Sequence, residues 1–266
     1  MNNYKKTSRM HTFAILAYKQ SPFLEECIKS LLSQKVKSDI IISTSTPSDF
    51  IENLADKYNI PLYVNKKSHG IATDWNYAYN ISKTEYVTLA HQDDIYTEDY
   101  LAKCMKKAER HPENLIIFTG YSELYGNEIV GNNLLLLIKK ILLFPFLFTK
   151  KLNNKLLKKS ILLLGSPISC PGVTYNKKNL QNFKFDESFS INMDWNAWIQ
   201  LAGKKGSFVY DSAKLFLHRI HDEAETSKAF ADNRRRDEDL RIFKKLWPKP
   251  LASLIAKIYS ISYKSA

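Results

Sequence analysis

Residues 85–94 read EYVTLAHQDD, a short strand-like run that leads without a break into two adjacent carboxylates, Asp93 and Asp94. A brief apolar stretch bounded by polar residues reads as a buried strand, and in open α/β sheets ligands bind beyond the carboxyl ends of the strands. Working outward, the same alternation recurs on both sides. Upstream, FAILA (13–17), DIIIS (39–43) and PLYV (61–64) are strands. LEECIKSLLSQ, which has apolar residues at positions 24, 27, 28, 31 and 32, residues 48–58 with Ser48 as cap, and TDWNYAYNI (73–81) are helices. Downstream, 100–110 is a helix, LIIFT (115–119) a strand, PISCPGVTY (167–175) strand and turn, DWNAWIQLAG (194–203) a helix stopped by Gly203, and 207–210 and 214–218 are short strands. Strands alternating with helices of this length predict a mostly parallel central sheet covered by helices on both faces. There is no internal repeat.

At 266 residues the chain fits one large domain, or one domain with appendages. With 44% hydrophobic residues, 25% charged, 8 Gly and 9 Pro, the chain is neither disordered nor a low-complexity scaffold. Cys27, Cys104 and Cys170 form no close pair, which argues against a zinc knuckle or a disulfide framework and for reduced core residues. Neither a signal peptide nor a membrane-spanning run is expected, which predicts a cytoplasmic location.

The excess of 39 basic over 27 acidic residues, a net charge of +12, is unevenly placed. Residues 129–185 hold ten lysines and no Asp or Glu, and 134–148 read LLLLIKKILLFPFLF. Leucine clusters alternating with lysine pairs suit a segment lying in a membrane interface, with leucines at the acyl boundary and lysines at anionic headgroups. The alternative is a basic-edged helical hairpin packed on its own domain. Nucleic acid is not the expected partner, because the segment lacks arginine and has few aromatics suited to base stacking. Residues 228–245 are charged and helical in composition, and 251–263 form a second amphipathic stretch.

Paired carboxylates at a strand end suit a hard divalent cation that bridges phosphate oxygens, and the strand context favours this over an Asp cap on the following turn. Asp194 opens a helix and is equally an ordinary N-cap, yet its flanks MDWNAW offer two indoles, Trp195 and Trp198, to a sugar face and a carboxylate to an acceptor hydroxyl. His218 and His221 form HxxH, and with His91 they invite a metal reading, although isolated histidines are more often surface or core residues.

Taken together, FAILAYKQSPFLEECIKSLLSQ, HGIATDWNYAYNIS, YVTLAHQDDIY, FDESFSINMDWNAWIQLA and RIHDEAETS resemble the family 2 glycosyltransferases, inverting enzymes with a nucleotide-binding α/β fold of the GT-A type. The resemblance covers Phe13 to about Ser227. It implies a catalytic domain over 1–227 with the insert at 129–165, followed by a helical extension over 228–266. It also implies that Asp194 is the general base and that Asp93 and Asp94 hold Mg²⁺ or Mn²⁺. Ala17, Tyr18, Thr44, Ser45 and Asn76 would line the nucleotide donor, and Trp195, Trp198 and His221 would meet the acceptor or sugar. The implied donor is a UDP- or dTDP-linked sugar, and the implied setting is cell-surface polysaccharide synthesis.

Three positions depart from the family's pattern: His91 stands for the first Asp of DxD, Thr44 and Ser45 for an acidic pair that reads the nucleotide base, and Trp75 for an Arg. The greasy insert suggests a lipid-linked acceptor at the inner face of the cell membrane. Two alternatives remain open. AHQDD also resembles the AHPDD of zinc-dependent sugar deacetylases, but there the motif follows the first strand and Glu stands where this chain has Ile95. The other is a membrane-surface module that has lost catalysis.

Overall fold

The computed structural model describes residues 10–221 and 234–260. Its first half is the expected alternation: β1 (His11–Ala17), α1 (Leu24–Leu32), β2 (Asp39–Thr44), α2 (Asp49–Tyr58), β3 (Leu62–Val64), α3 (Ile71–Ile81) and β4 (Tyr86–His91). The second half is less regular. It comprises β5 (Ile95–Tyr96), α4 (Tyr100–Arg110), β6 (Asn114–Tyr125), β7 (Glu128–Val130), α5 (Leu134–Leu142), β8 (Lys151–Leu152), α6 (Lys155–Ser160), β9 (Val173–Asn176), α7 (Met193–Ala202), β10 (Ser207–Ile220), α8 (Arg234–Leu246) and α9 (Lys249–Tyr259).

All ten strands form one sheet with the order β3-β2-β1-β4-β9-β6-β10-β5, with β7 on β6 and β8 on β10. The pleat sends alternate residues to opposite faces. Phe13, Ile15 and Ala17 of β1 join the cluster under α1, α2 and α4, whereas Ala14 joins the cluster under α3, α7 and α8. The result is a three-layer α/β/α body.

The parallel expectation holds for β3-β2-β1-β4 and for β6 with β10. Between these blocks β9 runs antiparallel to both β4 and β6. β9, entered from a 3₁₀ turn at Cys170–Gly172, therefore makes the sheet mixed. The two short strands expected over 207–218 are one bulged strand, β10, with register shifts at Asp211/Lys214 and Lys214/Leu217. Gly120 permits that bulge, since a Cβ there would lie 2.8 Å from the Ser212 carbonyl oxygen.

Ser48 caps α2 as expected, its side chain accepting from the Ile51 N–H. Asp194 is not a cap, because Asn192 occupies that position and Asp194 sits in the first turn of α7. The division at residue 227 lies outside the described residues, as do the start of the helix expected from 228 and the tail beyond 260. The extension is not a separate appendage, since Ile242, Phe243 and Ala252 belong to the same core cluster as α7. Cys27, Cys104 and Cys170 are buried free thiols. No helix among the described residues is long and apolar enough to cross a membrane.

Candidate functional site

The register of β1 with β2 and β4 aligns Ala17 with Thr44 and Leu16 with His91. Three strand ends therefore open onto one crevice. Their loops are stitched together: Tyr18 N–H donates to Gln92 Oε1 (2.9 Å) and Gln92 Nε2 returns a bond to the Tyr18 carbonyl (3.0 Å). Lys19, at φ +55°, donates its N–H to Thr46 Oγ1 at 2.6 Å. Tyr18 is 45% exposed and can stack on a planar ligand, whereas Ala17 and Thr44 are buried and offer only backbone.

Sequence reading finds no acid after β2, but the structure supplies one from α3. Asp74 accepts from Ser45 Oγ (2.7 Å) and Asn65 Nδ2 (2.8 Å). Asp74 escaped the sequence reading because it lies thirty residues from the position where an acid was sought, and only the packing of α3 brings it there.

The Asp93–Asp94 pair is divided. Asp93 stays at the crevice, with Oδ1 accepting from Ser21 Oγ at 2.7 Å and Oδ2 lying 3.4 Å from His221 Nε2. Asp94 is 1% exposed, and its Oδ1 accepts from His218 Nδ1 and the Arg219 N–H, each at 3.0 Å. Its expected place as a metal ligand is therefore corrected: the carboxylate is sunk under the crevice, where it ties β4 to β10. Burial opposes the charged form of His218, but the Asp94 carboxylate outweighs it and the imidazole pKa is raised.

Arg219 completes the clasp. Its Nε donates to the Asp93 carbonyl, its guanidinium pairs with Glu26, and it lies 4.3 Å from the Phe23 ring centroid. The Arg-Ile-His run thus folds back over Asp93, while the DEAETS that follows His221 lies outside the described residues. His221 was expected to meet acceptor or sugar and is found against Asp93. His91 packs on Trp75 with ring centroids 5.1 Å apart, and burial lowers its pKa.

The HxxH reading separates into two carboxylate–histidine pairs, Asp94–His218 and Asp93–His221. Among the described residues, no three His, Cys, Asp or Glu side chains gather as a metal cage. A Mg²⁺ or Mn²⁺ ion needs less, because it takes one or two protein ligands and completes its shell with phosphate oxygens and water. Asp93, a carboxylate at the strand ends, fits that pattern, with the His221 imidazole beside it.

Asp194 is partly buried, and its Oδ1 accepts from the Trp195 N–H at 2.6 Å. Burial raises its pKa to about 6, against the smaller lowering effects of that N–H, Arg235 and Lys139. A carboxylate with that pKa is a competent proton acceptor near neutrality. Cys170, whose thiol is pushed up by burial, is within electrostatic reach of both Asp194 and the buried Asp94.

Trp195 and Trp198 are 1% and 0% exposed, so neither indole faces a sugar. Trp195 packs on Phe243 and Tyr259 and donates its indole N–H to the Leu162 carbonyl, and Trp198 stacks on Tyr175. Trp195 belongs to the core because α8 and α9 cover it, and Trp198 because it faces β9. Asn76 is likewise corrected: its Oδ1 accepts from the Phe185 N–H and its Nδ2 donates to the Phe185 carbonyl and Glu187, so the amide holds the 185–187 segment and not the donor.

Lys139 was expected at lipid headgroups. It turns inward instead, donating to Tyr121 Oη at 2.6 Å, next to His218 and within electrostatic reach of Asp194. Lys158 also departs from the lipid side, with no exposure and bonds to the Lys204 and Gly206 carbonyls; burial lowers its pKa to about 8.

Residues 12–180 match the sequence profile of glycosyl transferase family 2. No curated protein matches the chain. Among solved structures, Staphylococcus aureus TarS 1–349 superposes with a TM-score of 0.63 at 12% identity, covering 96% of this chain and 71% of that one. The same protein in complex with UDP-GlcNAc gives 0.62 at 13% identity, covering 94% and 71%. The mannosyltransferase PcManGT from Pyrobaculum calidifontis, in complex with GDP-Man and Mn²⁺, gives 0.58 at 12% identity, covering 96% and 75%. At such identities the likeness is one of fold.

Proposed function

The chain belongs to glycosyl transferase family 2, and from that premise we propose that it moves a sugar from a UDP- or dTDP-linked donor to a lipid-linked glycan at the inner face of the cell membrane. The observation that carries this reading is the facing of Asp93 and His221 beyond the strand ends, 3.4 Å apart. A divalent cation held there by Asp93 would supply positive charge to the departing diphosphate. Asp194 takes the proton of the acceptor hydroxyl as its oxygen forms the new bond to the anomeric carbon. The bond to the diphosphate breaks on the opposite side, so the configuration inverts. Tyr18 offers its exposed ring to the base, and Ser45 and Asp74 border it. The profile match favours transfer over the deacetylase reading, and the ionisable, partly buried Asp194 favours an active enzyme over an inert module.

The membrane half of the proposal is supported by one continuous apolar face. Leu134, Leu137, Ile138 and Ile141 of α5, together with Phe144, Leu147 and Phe148 after it, are 44–78% exposed. Leu254 and Ile258 of α9 are 55% and 60% exposed. The two helices meet at Gly165, where Leu142 and Tyr259 both come within 4 Å of the position a Cβ would take. Residues 129–165 carry seven lysines and 247–266 three, with no acid in either stretch. A second copy would set the exposed Lys140, Lys150, Lys155, Lys159, Lys249 and Lys257 against their equals, whereas an anionic bilayer complements them.

Calorimetric titration with UDP, dTDP and GDP, each with and without Mn²⁺ and repeated on Asp93→Ala, tests the donor site. Cation-dependent binding of one nucleotide that disappears in the variant is expected. Absence of binding to all three, with zinc found by elemental analysis, would restore the deacetylase reading.

A further inference from the structure

The helix that carries the base does not cap itself. Asn192 stands at the cap position of α7 and makes no side-chain capping bond there. The exposed donors of the preceding turn are satisfied from a distant part of the chain. Glu238 of α8, 6% exposed, accepts from the Ser190 N–H (2.7 Å) and Ser190 Oγ (2.9 Å) at Oε1, and from the Ile191 N–H (3.0 Å) and Asn192 N–H (2.8 Å) at Oε2. The adjacent Asp239 accepts from Asn192 Nδ2 at 2.7 Å. A fully engaged carboxylate at a helix N-terminus satisfies orphan N–H groups and opposes the positive end of the helix dipole at once. Two more bonds run the same way along the helix, from Arg241 to the Ser188 carbonyl and from Lys245 to Asn196 Oδ1.

We propose that Glu238 is a positioning residue for transfer: by holding residues 190–192 from α8, it fixes the first turn of α7 and with it the place of Asp194. This rests on Asp194 being the base. Asp194 follows Asn192 by two residues, so a turn loosened at 190–192 carries the carboxylate with it, and its distance to an acceptor hydroxyl is no longer set. Placement errors of about 1 Å cost roughly 10²-fold in rate. The C-terminal helices are then part of the active site, although they lie beyond the match at 12–180.

The test is Glu238→Gln in the full chain, which keeps the shape and weakens the acceptor. The expected result is a kcat lowered about 10–100-fold with nucleotide affinity unchanged. The acid limb of the kcat profile should also move below pH 6, because a loosened turn admits water to Asp194 and relieves the burial that raises its pKa. A merely structural role would scale activity with the folded fraction at every pH and leave the limb in place, and that result would overturn the proposal. If Glu238→Gln does not fold, Ser190→Ala removes one of the four bonds and spares the backbone. A limb moved in the same direction supports the proposal, and a wild-type profile overturns it. Asp194→Asn run in parallel separates the two readings. Full transfer by that variant removes the base assignment itself, whereas a dead Asp194→Asn beside a wild-type Glu238→Gln profile removes only the positioning role.

Discussion

The two sides of the crevice are built in different ways. The proposed donor side is mostly local: β1, β2 and β4 lie within the first 91 residues and end in adjacent loops, to which packing adds Asp74 from α3 and His221 from the end of β10. The base side is assembled from afar, with Lys139 from α5, Cys170 before β9, Asp194 from α7 and Glu238 from α8 all contributing. Local strings of sequence therefore carry most of the proposed donor side, with Asp74 and His221 added by packing, while the proposed acceptor side depends on long-range packing throughout. The two sides should respond to mutation separately.

The sharpest attempt to break that separation is Asp93→Ala. It removes a ligand of the proposed cation, so nucleotide binding and transfer should both fall, the latter by roughly 10⁴-fold, since several kcal/mol of charge stabilisation is lost. Unchanged Mn²⁺-dependent binding would show that the donor site lies elsewhere. Asp194→Asn should lower kcat by about 10³-fold, mid-range for general base catalysis, and leave the nucleotide Kd alone. A matching loss of nucleotide affinity would mean that the two sides are coupled.

The pH profile refines the same point. Asp194 accepts a proton only when ionised, and burial sets its pKa at about 6. kcat should therefore fall about tenfold per pH unit below 6 and level off above it, while nucleotide affinity should not follow that limb. A kcat that stays level down to pH 5 would remove Asp194 from the role of base. The smallest expected effect is on docking. Leu137→Glu and Leu254→Glu lie on solvent-exposed faces of α5 and α9, so stability should change by no more than about 0.5 kcal/mol. Each should weaken binding to anionic vesicles about tenfold, measured by cosedimentation. If only the α5 variant matters, α9 is not part of the face.

What could be read from sequence follows the same division. The alternation from β1 to β4 and the crevice at their ends were legible because hydrophobic period and strand length are local properties. Asp93 was legible for the same reason. The fate of Asp94 was not, since its burial depends on His218 and Arg219, over a hundred residues away. The expectation that Trp195 and Trp198 meet a sugar fails because the pattern of α7 does not reveal that α8 and α9 cover Trp195 and that Trp198 faces β9. Asn76 was misread because its partners at 185–187 are set by a loop without periodicity. Lys139 and Lys140 are neighbours of identical chemistry, yet one reaches Tyr121 in the crevice and the other bonds Asn132 on the surface. Helical geometry separates adjacent residues by about 100°, and only the docked orientation of α5 decides which of them points inward.

The place of β9 in the sheet also bears on how the molecule comes into being on the ribosome. β4 and β6 cannot be joined until residues 173–176 emerge to stand between them, and the leucine-rich segment at 134–148 is synthesised before that strand. The four-stranded parallel block can form early. For the time needed to make the intervening residues, a few seconds at ~5–20 residues per second, the most apolar part of the chain lies beside an open sheet edge. A nascent chain halted near residue 165 should therefore be a strong client for chaperones or for the bilayer itself, and one halted after residue 180 a weaker one.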